Sequence, residues 1–300
     1  MSKRTKRTFC FLMILMIVVG TVGIPTGASY SDLLEYNPRL ADFGITEERY
    51  NRMPMSHKEI YGNIEFAAKE ECVTEQVTKY FFVPAEPYVP QSTYGAKDLI
   101  QERPYIEVSK EEYESVVSYS NMDERLQNPD STSGTWYSLL TEVAYMGTQD
   151  GNDCFILSNT LSVLPLEFGG ARENTYTGFL AGGLNASCSP ISGTEIFDQE
   201  NVYFNSSEDL PTVYEAPHKG AGYGFDFTVD SLMREANLSM SFLFEPNTTT
   251  VKLIDAYGFA GYWRTDNELD ASISIGGPSI SIAPTLNLYR ASDTHAQMRR

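Results

Sequence analysis

The sequence predicts a mainly β protein: an antiparallel β-sandwich or barrel in the C-terminal half, preceded by a smaller mixed α/β region. Three observations carry that prediction. Period-two alternation runs through 136–146, where Trp136, Ser138, Leu140, Glu142, Ala144 and Met146 alternate against Tyr137, Leu139, Thr141, Val143 and Tyr145. Candidate strands then recur at short intervals with turn residues between them. Helical signals, by contrast, are confined to the first 120 residues.

Taken in order, the chain opens with Lys3, Arg4, Lys6 and Arg7, an apolar run over 9–24, then Pro25 and the small residues Gly27, Ala28 and Ser29. This is the layout of a secretory signal peptide, with cleavage expected after Ala28. The apolar run falls short of the ~20 residues needed to span a bilayer as a helix, so no stable membrane span is expected after cleavage. The expected location is therefore secreted or extracellular. The resulting organisation is 1–28 signal peptide, 29–120 mixed helix and strand, 121–134 linker, 135–290 antiparallel β domain and 291–300 C-terminal tail.

In the mixed region, Thr46 ahead of Glu47, Glu48 and Arg49 predicts a short helix ending by Pro54. Ser56 with Glu59 fits a capping box, predicting a helix to about Glu71. Val73, Val77, Tyr80, Phe81, Phe82 and Val83 favour a strand over 72–83. Pro84, Pro87, Pro90 and Pro104 mark a connector, and Ser109 with Glu112 is a second capping box opening a helix to about Tyr119. After the 136–146 strand, Asp150-Gly151 supplies a tight turn into Cys154, Phe155, Ile156 and Leu157. Further strands are expected at 176–180, 195–197, 202–204, 224–229, 238–244, 249–256, 261–263, 271–275 and 279–288.

Function classes narrow by charge. The chain holds 40 acidic and 22 basic side chains, net −18. Neutralising phosphates needs clustered Lys and Arg, so no nucleic-acid partner is expected. Three cysteines, Cys72, Cys154 and Cys188, remain after cleavage. One internal disulfide at most can form, and Cys154–Cys188 is the expected pair; the alternative is three buried free thiols. With His57, His218 and His295 as the only histidines, no zinc spacing exists, and no cofactor is expected.

Four features could carry chemistry. Gly220, Gly222 and Gly224 read as a turn where backbones pack closely, because a strand pattern follows them where a dinucleotide fingerprint needs a helix. Asp150, Asn152 and Asp153 are weak Ca²⁺ candidates, as is the Asp266, Asn267, Glu268 and Asp270 cluster, but Asp and Asn also favour turns. The segments Ser272-Ile273-Ser274-Ile275 and Ser279-Ile280-Ser281-Ile282 form an alternating hairpin, too short for a transmembrane barrel strand. Tyr223, Tyr257, Tyr262 and Trp263 cluster near glycines and are the candidate ligand-binding aromatics. No Gly-x-Ser-x-Gly elbow occurs, and the catalytic residues are unknown. The expectation is an exported, non-catalytic β-rich protein binding a surface, glycan or protein partner. The alternatives are a secreted hydrolase using a carboxylate pair and a membrane-acting toxin.

Overall fold

The computed structural model describes residues 35–84, 105–120, 134–165, 175–203, 205–216, 220–230, 233–264, 272–283, 288–290 and 293–300. Within the described residues the first element is a 3₁₀ helix, Pro38–Phe43, whose Asn37 cap accepts from the Arg39 N–H. Helix α1, Glu47–Arg52, starts where expected, with Thr46 Oγ1 accepting from the Arg49 N–H at 3.2 Å. Helix α2, Met55–Gly62, follows Pro54 and has no side-chain cap, so Ser56 does not open it. The helix expected to reach Glu71 stops at Gly62. Beyond it the short strand β1, Glu65–Phe66, pairs with residues of the long sheet, and a 3₁₀ turn covers Lys69–Glu71. Pairing with the sheet has overridden local helix propensity there.

Strands β2, Thr74–Pro84, and β3, Ile106–Val108, precede helix α3, Lys110–Ser120. That helix has the expected reciprocal cap: Ser109 Oγ accepts from the Glu112 N–H and Glu112 Oε2 from the Ser109 N–H. The rest is β: β4 Gly134–Gln149, β5 Asn152–Pro165, β6 Thr175–Leu184, β7 Cys188–Pro190, β8 Ile196–Val202, β9 Ser207–Asp209, β10 Gly222–Asp230, β11 Glu235–Pro246, β12 Leu253–Arg264, β13 Ser272–Ile275, β14 Ile280–Ala283, β15 Leu288–Arg290 and β16 Thr294–Arg299.

Every pairing between the described strands is antiparallel, in two packed sheets and a hairpin. The large sheet runs β3-β2-β4-β5-β11-β8-β9, with β1 and β7 added at the ends of β4 and β11. The smaller runs β10-β6-β12-β15, with β16 also on β12. The core between them contains Leu139, Phe155, Leu157, Leu180, Phe242 and Met298, among others. The fold is the antiparallel sandwich that the alternation predicts.

Two expected strands, 249–256 and 261–263, are one continuous strand, β12. The segment read as a tail, 291–300, is instead largely β16: Thr294, Ala296 and Met298 are buried and His295, Gln297 and Arg299 exposed. The connector 85–104 and the linker residues 121–133 lie outside the described residues.

The outer face of the large sheet carries two covering layers. At one end Leu40, Ile45, Tyr50, Met53 and Tyr61 pack on Ala144, Met146, Cys154, Ile156 and Leu243. At the other, Tyr113 of α3 packs with Phe82, Trp136 and Leu164.

Candidate functional site

Alternation decides which side chains reach the outer face of the large sheet, and register decides which stand beside one another. On β4, β5 and β11 the outward positions are apolar under the two covering layers and mostly polar between them. Three cross-strand rows lie in this band, and the third passes under the N-terminal layer at its far end, where Ser241 and Ile196 are buried. The first is Tyr80, Ser138, Ser162, Asn237 and Glu200; the second Thr78, Leu140, Thr160, Ser239 and Asp198; the third Gln76, Glu142, Ser158, Ser241 and Ile196. Five strands at ~4.8 Å spacing give a band about 19 Å long, and rows two residues apart make it about 14 Å wide. The covering layers form its walls. At its β8 end, α1 approaches the sheet across an open groove of about 400 Å³ lined by Arg49, Arg52, Thr160, Asp198, Asn237 and Ser239, among others.

The walls are tied to the floor by polar contacts. Arg49 ion-pairs with Asp198, which also accepts from Thr212 Oγ1 at 2.6 Å. Tyr113 Oη donates to Ser162 Oγ at 3.4 Å, and Ser162 Oγ donates to Glu235 Oε1 at 2.9 Å. Glu200 accepts from Asn237 Nδ2 at 3.4 Å. Glu142 differs: half-buried in the third row beside Ser158, it has no hydrogen-bond or ion-pair partner among the described residues. Burial pushes its carboxyl above the usual range. In the same row the Ser241 hydroxyl is buried, at 5% residue exposure, and has no partner among the described residues. The trough therefore offers hydroxyls, amides and carboxylates on a strand platform, and of these carboxylates Glu142 has no partner among the described residues.

The aromatics singled out from sequence are not brought together as one surface. Tyr223 is 1% exposed and packs edge-on to Phe242 in the sandwich core, so it is not a ligand-facing ring. Tyr257 stacks on His295, with centroids 4.6 Å apart, on the outer side of the smaller sheet. Tyr262 and Trp263 lie in β12, but their side chains are outside the described ones. Beside Tyr257, Asp255 accepts from His295 Nε2 at 2.8 Å, Gln297 Nε2 at 2.8 Å and Asn185 Nδ2 at 3.0 Å. Burial raises the Asp255 carboxyl, but these donors outweigh it and hold the group below its usual range.

The expected disulfide is corrected. Cys154 and Cys188 are both free thiols, because Cys154 projects to the outer face of the large sheet and Cys188 into the core between the sheets. Cys72 is free as well, with Arg39 Nη2 donating to its Sγ at 3.1 Å. Burial pushes the Cys154 thiol up to about 12 and the Cys188 thiol up to about 11, which keeps both inert as nucleophiles.

The calcium candidates have separate positions. Asp150 and Gly151, at φ 50° and 80°, form the two-residue turn between Gln149 and Asn152, while Asp153 ion-pairs with Arg300. Among the described residues no group of three or more His, Cys, Asp or Glu is arranged to hold a metal ion. The 266–270 cluster and His218 lie outside the described residues. His57 is buried, donating Nε2–H to the Glu195 carbonyl. The glycine motif packs as a close backbone approach: a Cβ at Gly222 would overlap the Gly182 carbonyl across the β10–β6 pair. The Ser-Ile hairpin buries Ile275 and Ile280 with Phe179, Ala181 and Phe259.

Sequence reasoning missed the trough. A signal was present in the outward residues of β5: Cys154 and Ile156, then Ser158, Thr160 and Ser162, then Leu164. Apolar, polar, apolar along one face marks an uncovered stretch between two covered ones.

No family model matches the chain, and no curated protein matches it. Among solved structures it is similar to the collagen-binding domain of a Staphylococcus aureus adhesin, at 6% identity and TM-score 0.27, covering 48% of this chain and 88% of that one. It is also similar to the collagen adhesin of S. aureus, at 8% identity and TM-score 0.24, covering 76% and 84%. A third is the C-terminal domain of the Streptococcus agalactiae AgI/II polypeptide BspA, at 9% and 0.27, covering 74% and 84%. At such TM-scores these likenesses carry no argument about what this chain binds. No described helix is long and apolar enough to cross a membrane.

Proposed function

We propose that this is an exported, non-catalytic binding protein whose ligand surface is the polar trough on the outer face of the large sheet. Export rests on the basic and apolar pattern of residues 1–28. The binding reading rests on one observation: three adjoining, mostly polar rows cross five strands between two apolar ends, each covered by packed helical or aromatic side chains. A sandwich that covers both ends of a face and leaves its middle open presents a fixed polar platform. The trough, rather than the Tyr257 region, is favoured because it is walled and holds an unpaired carboxylate.

The test uses labelled protein on glycan and peptide arrays, comparing the natural chain with Thr160→Trp. Thr160 is exposed at the centre of the second row, so an indole there fills the floor without disturbing the core. The expected result is a defined ligand class bound by the natural chain and weakened about tenfold or more by the substitution, with the thermal midpoint unchanged. Ligands bound equally by both proteins would place the binding surface elsewhere. Turnover of a bound glycan, lost on substituting Glu142, would favour the hydrolase instead.

A further inference from the structure

We infer that the trough takes an extended, basic stretch of polypeptide, seating a Lys or Arg side chain over Glu142; this rests on the trough being the binding surface. Charge gives the first argument. The rows contain Glu142, Asp198 and Glu200, with Glu48 and Asp209 at the open β8 end, against Arg49 and Arg52. Arg49 is committed to Asp198, and Arg52 to Glu48 at 2.5 Å. The face is therefore net acidic, on a chain of net charge −18, and an anionic ligand would meet repulsion along the whole floor.

The second argument is the unpaired floor. A half-buried carboxylate without a cation is poorly compensated, and among the described residues Glu142 stands in that state, between Gln76 and Ser158. Beyond Ser158 in the same row, the Ser241 hydroxyl is buried and unpartnered among the described residues. A ligand that brings an ammonium or guanidinium to Glu142 and a peptide group to the partly exposed Ser158 supplies the missing cation at the open edge of that buried stretch. Polypeptide carries those groups together, a charged side chain beside backbone N–H and C=O.

Dimensions and surface chemistry agree. A floor about 19 Å long takes five or six residues of extended chain at ~3.4 Å each. Sugars, by comparison, are commonly held on exposed rings. The one aromatic side chain in the three rows, Tyr80, is packed against Tyr113 at 5.0 Å.

The experiment is fluorescence anisotropy with the purified full chain and two labelled decapeptides, alternating Lys-Ser and alternating Glu-Ser, at low salt. The basic peptide should bind and the acidic one should not. Glu142→Gln should weaken the basic peptide about fivefold, whereas Glu70→Gln, the same charge change at an exposed turn residue, should leave it unchanged. Equal effects of those two substitutions would reduce the binding to bulk attraction and overturn the assignment, as would no binding of the basic peptide. A neutral glycan that binds and is lost in Thr160→Trp would overturn the basic-polypeptide assignment while leaving the trough as the binding surface. If Thr160→Trp keeps every ligand, the trough reading itself falls.

Discussion

Glu142 is a half-buried carboxylate on β4 with no hydrogen-bond or ion-pair partner among the described residues. Burial pushes its folded-state carboxyl above the usual range, so the folded protein holds this proton more tightly than the unfolded chain does. Stability from this group is then present at low pH and lost as pH rises through the raised value. Glu142→Gln should accordingly raise the thermal midpoint at pH 7, and the gain should shrink toward pH 4. Its size should stay below ~1 kcal/mol, since the side chain is about half in water and solvent screens it. A variant with lower stability at pH 7 would mean that the carboxylate has a partner. Residue identity alone conveyed little of this. Glu142 was one acid among 40, and only its register beside Ser158 set it apart. Tyr223 shows the converse: chemically suited to ligand contact, it is core because its strand parity points it at Phe242.

Between elements, the two sheets are joined by more than apolar packing. Thr141 of β4 and Asn159 of β5 are inward-facing polar residues in otherwise apolar rows, and both are fully buried. Thr141 Oγ1 donates to Asn159 Oδ1 at 2.7 Å and also contacts Thr294 Oγ1 of β16. Asn159 Nδ2 donates across the sandwich to the Ala181 carbonyl of β6 at 3.0 Å, and Thr294 Oγ1 reaches the Gly258 carbonyl of β12 at 3.4 Å. These bonds link the facing sheets at one fixed offset. Asn159→Leu would leave the Ala181 carbonyl and the Thr141 hydroxyl short of a partner, and should cost about 2–4 kcal/mol in denaturant unfolding. Adding Thr141→Val should cost much less than the sum of the two single changes, because the partners fail together. A cost for Asn159→Leu below ~0.5 kcal/mol would show that the bridge is not needed. The strands themselves were legible through their alternation, and the Asp150-Gly151 turn through its residue types. Strand β16 was not: Thr294, Ala296 and Met298 alternate with His295, Gln297 and Arg299, but only Met298 of the inward set is a large apolar side chain, too little for a hydrophobic signal.

For the whole molecule, the open question is whether residues 35–72 form a unit of their own or a layer of the sandwich. Their packing favours a layer. Leu40, Ile45, Tyr50 and Tyr61 are fully buried, and they reach that state against Ala144, Met146, Cys154, Ile156, Ile196 and Leu243 of the large sheet. Hydrogen bonds follow the same path. Tyr61 Oη donates to the Thr194 carbonyl at 2.7 Å, His57 Nε2 to the Glu195 carbonyl at 3.2 Å, and Ala67 N–H to the Met146 carbonyl at 2.9 Å. The short helices α1 and α2 are below the length at which isolated helices persist in water, so they depend on this contact. Sequence could mark the start of α1 through Thr46 but not the docking of either helix, since a helix cap is local and the apolar face it serves lies some 80 residues or more away in the chain. The chain should therefore unfold in one transition followed identically by near- and far-ultraviolet circular dichroism. Removing residues 1–72 should uncover the six apolar side chains of that sheet face, giving a product that binds a hydrophobic dye, aggregates and has a lower midpoint. It should also lose the trough wall that this layer forms, and with it Arg49 beside Asp198. A truncated chain that stays monomeric, keeps the original midpoint and binds no dye would show that the N-terminal region is a separate domain.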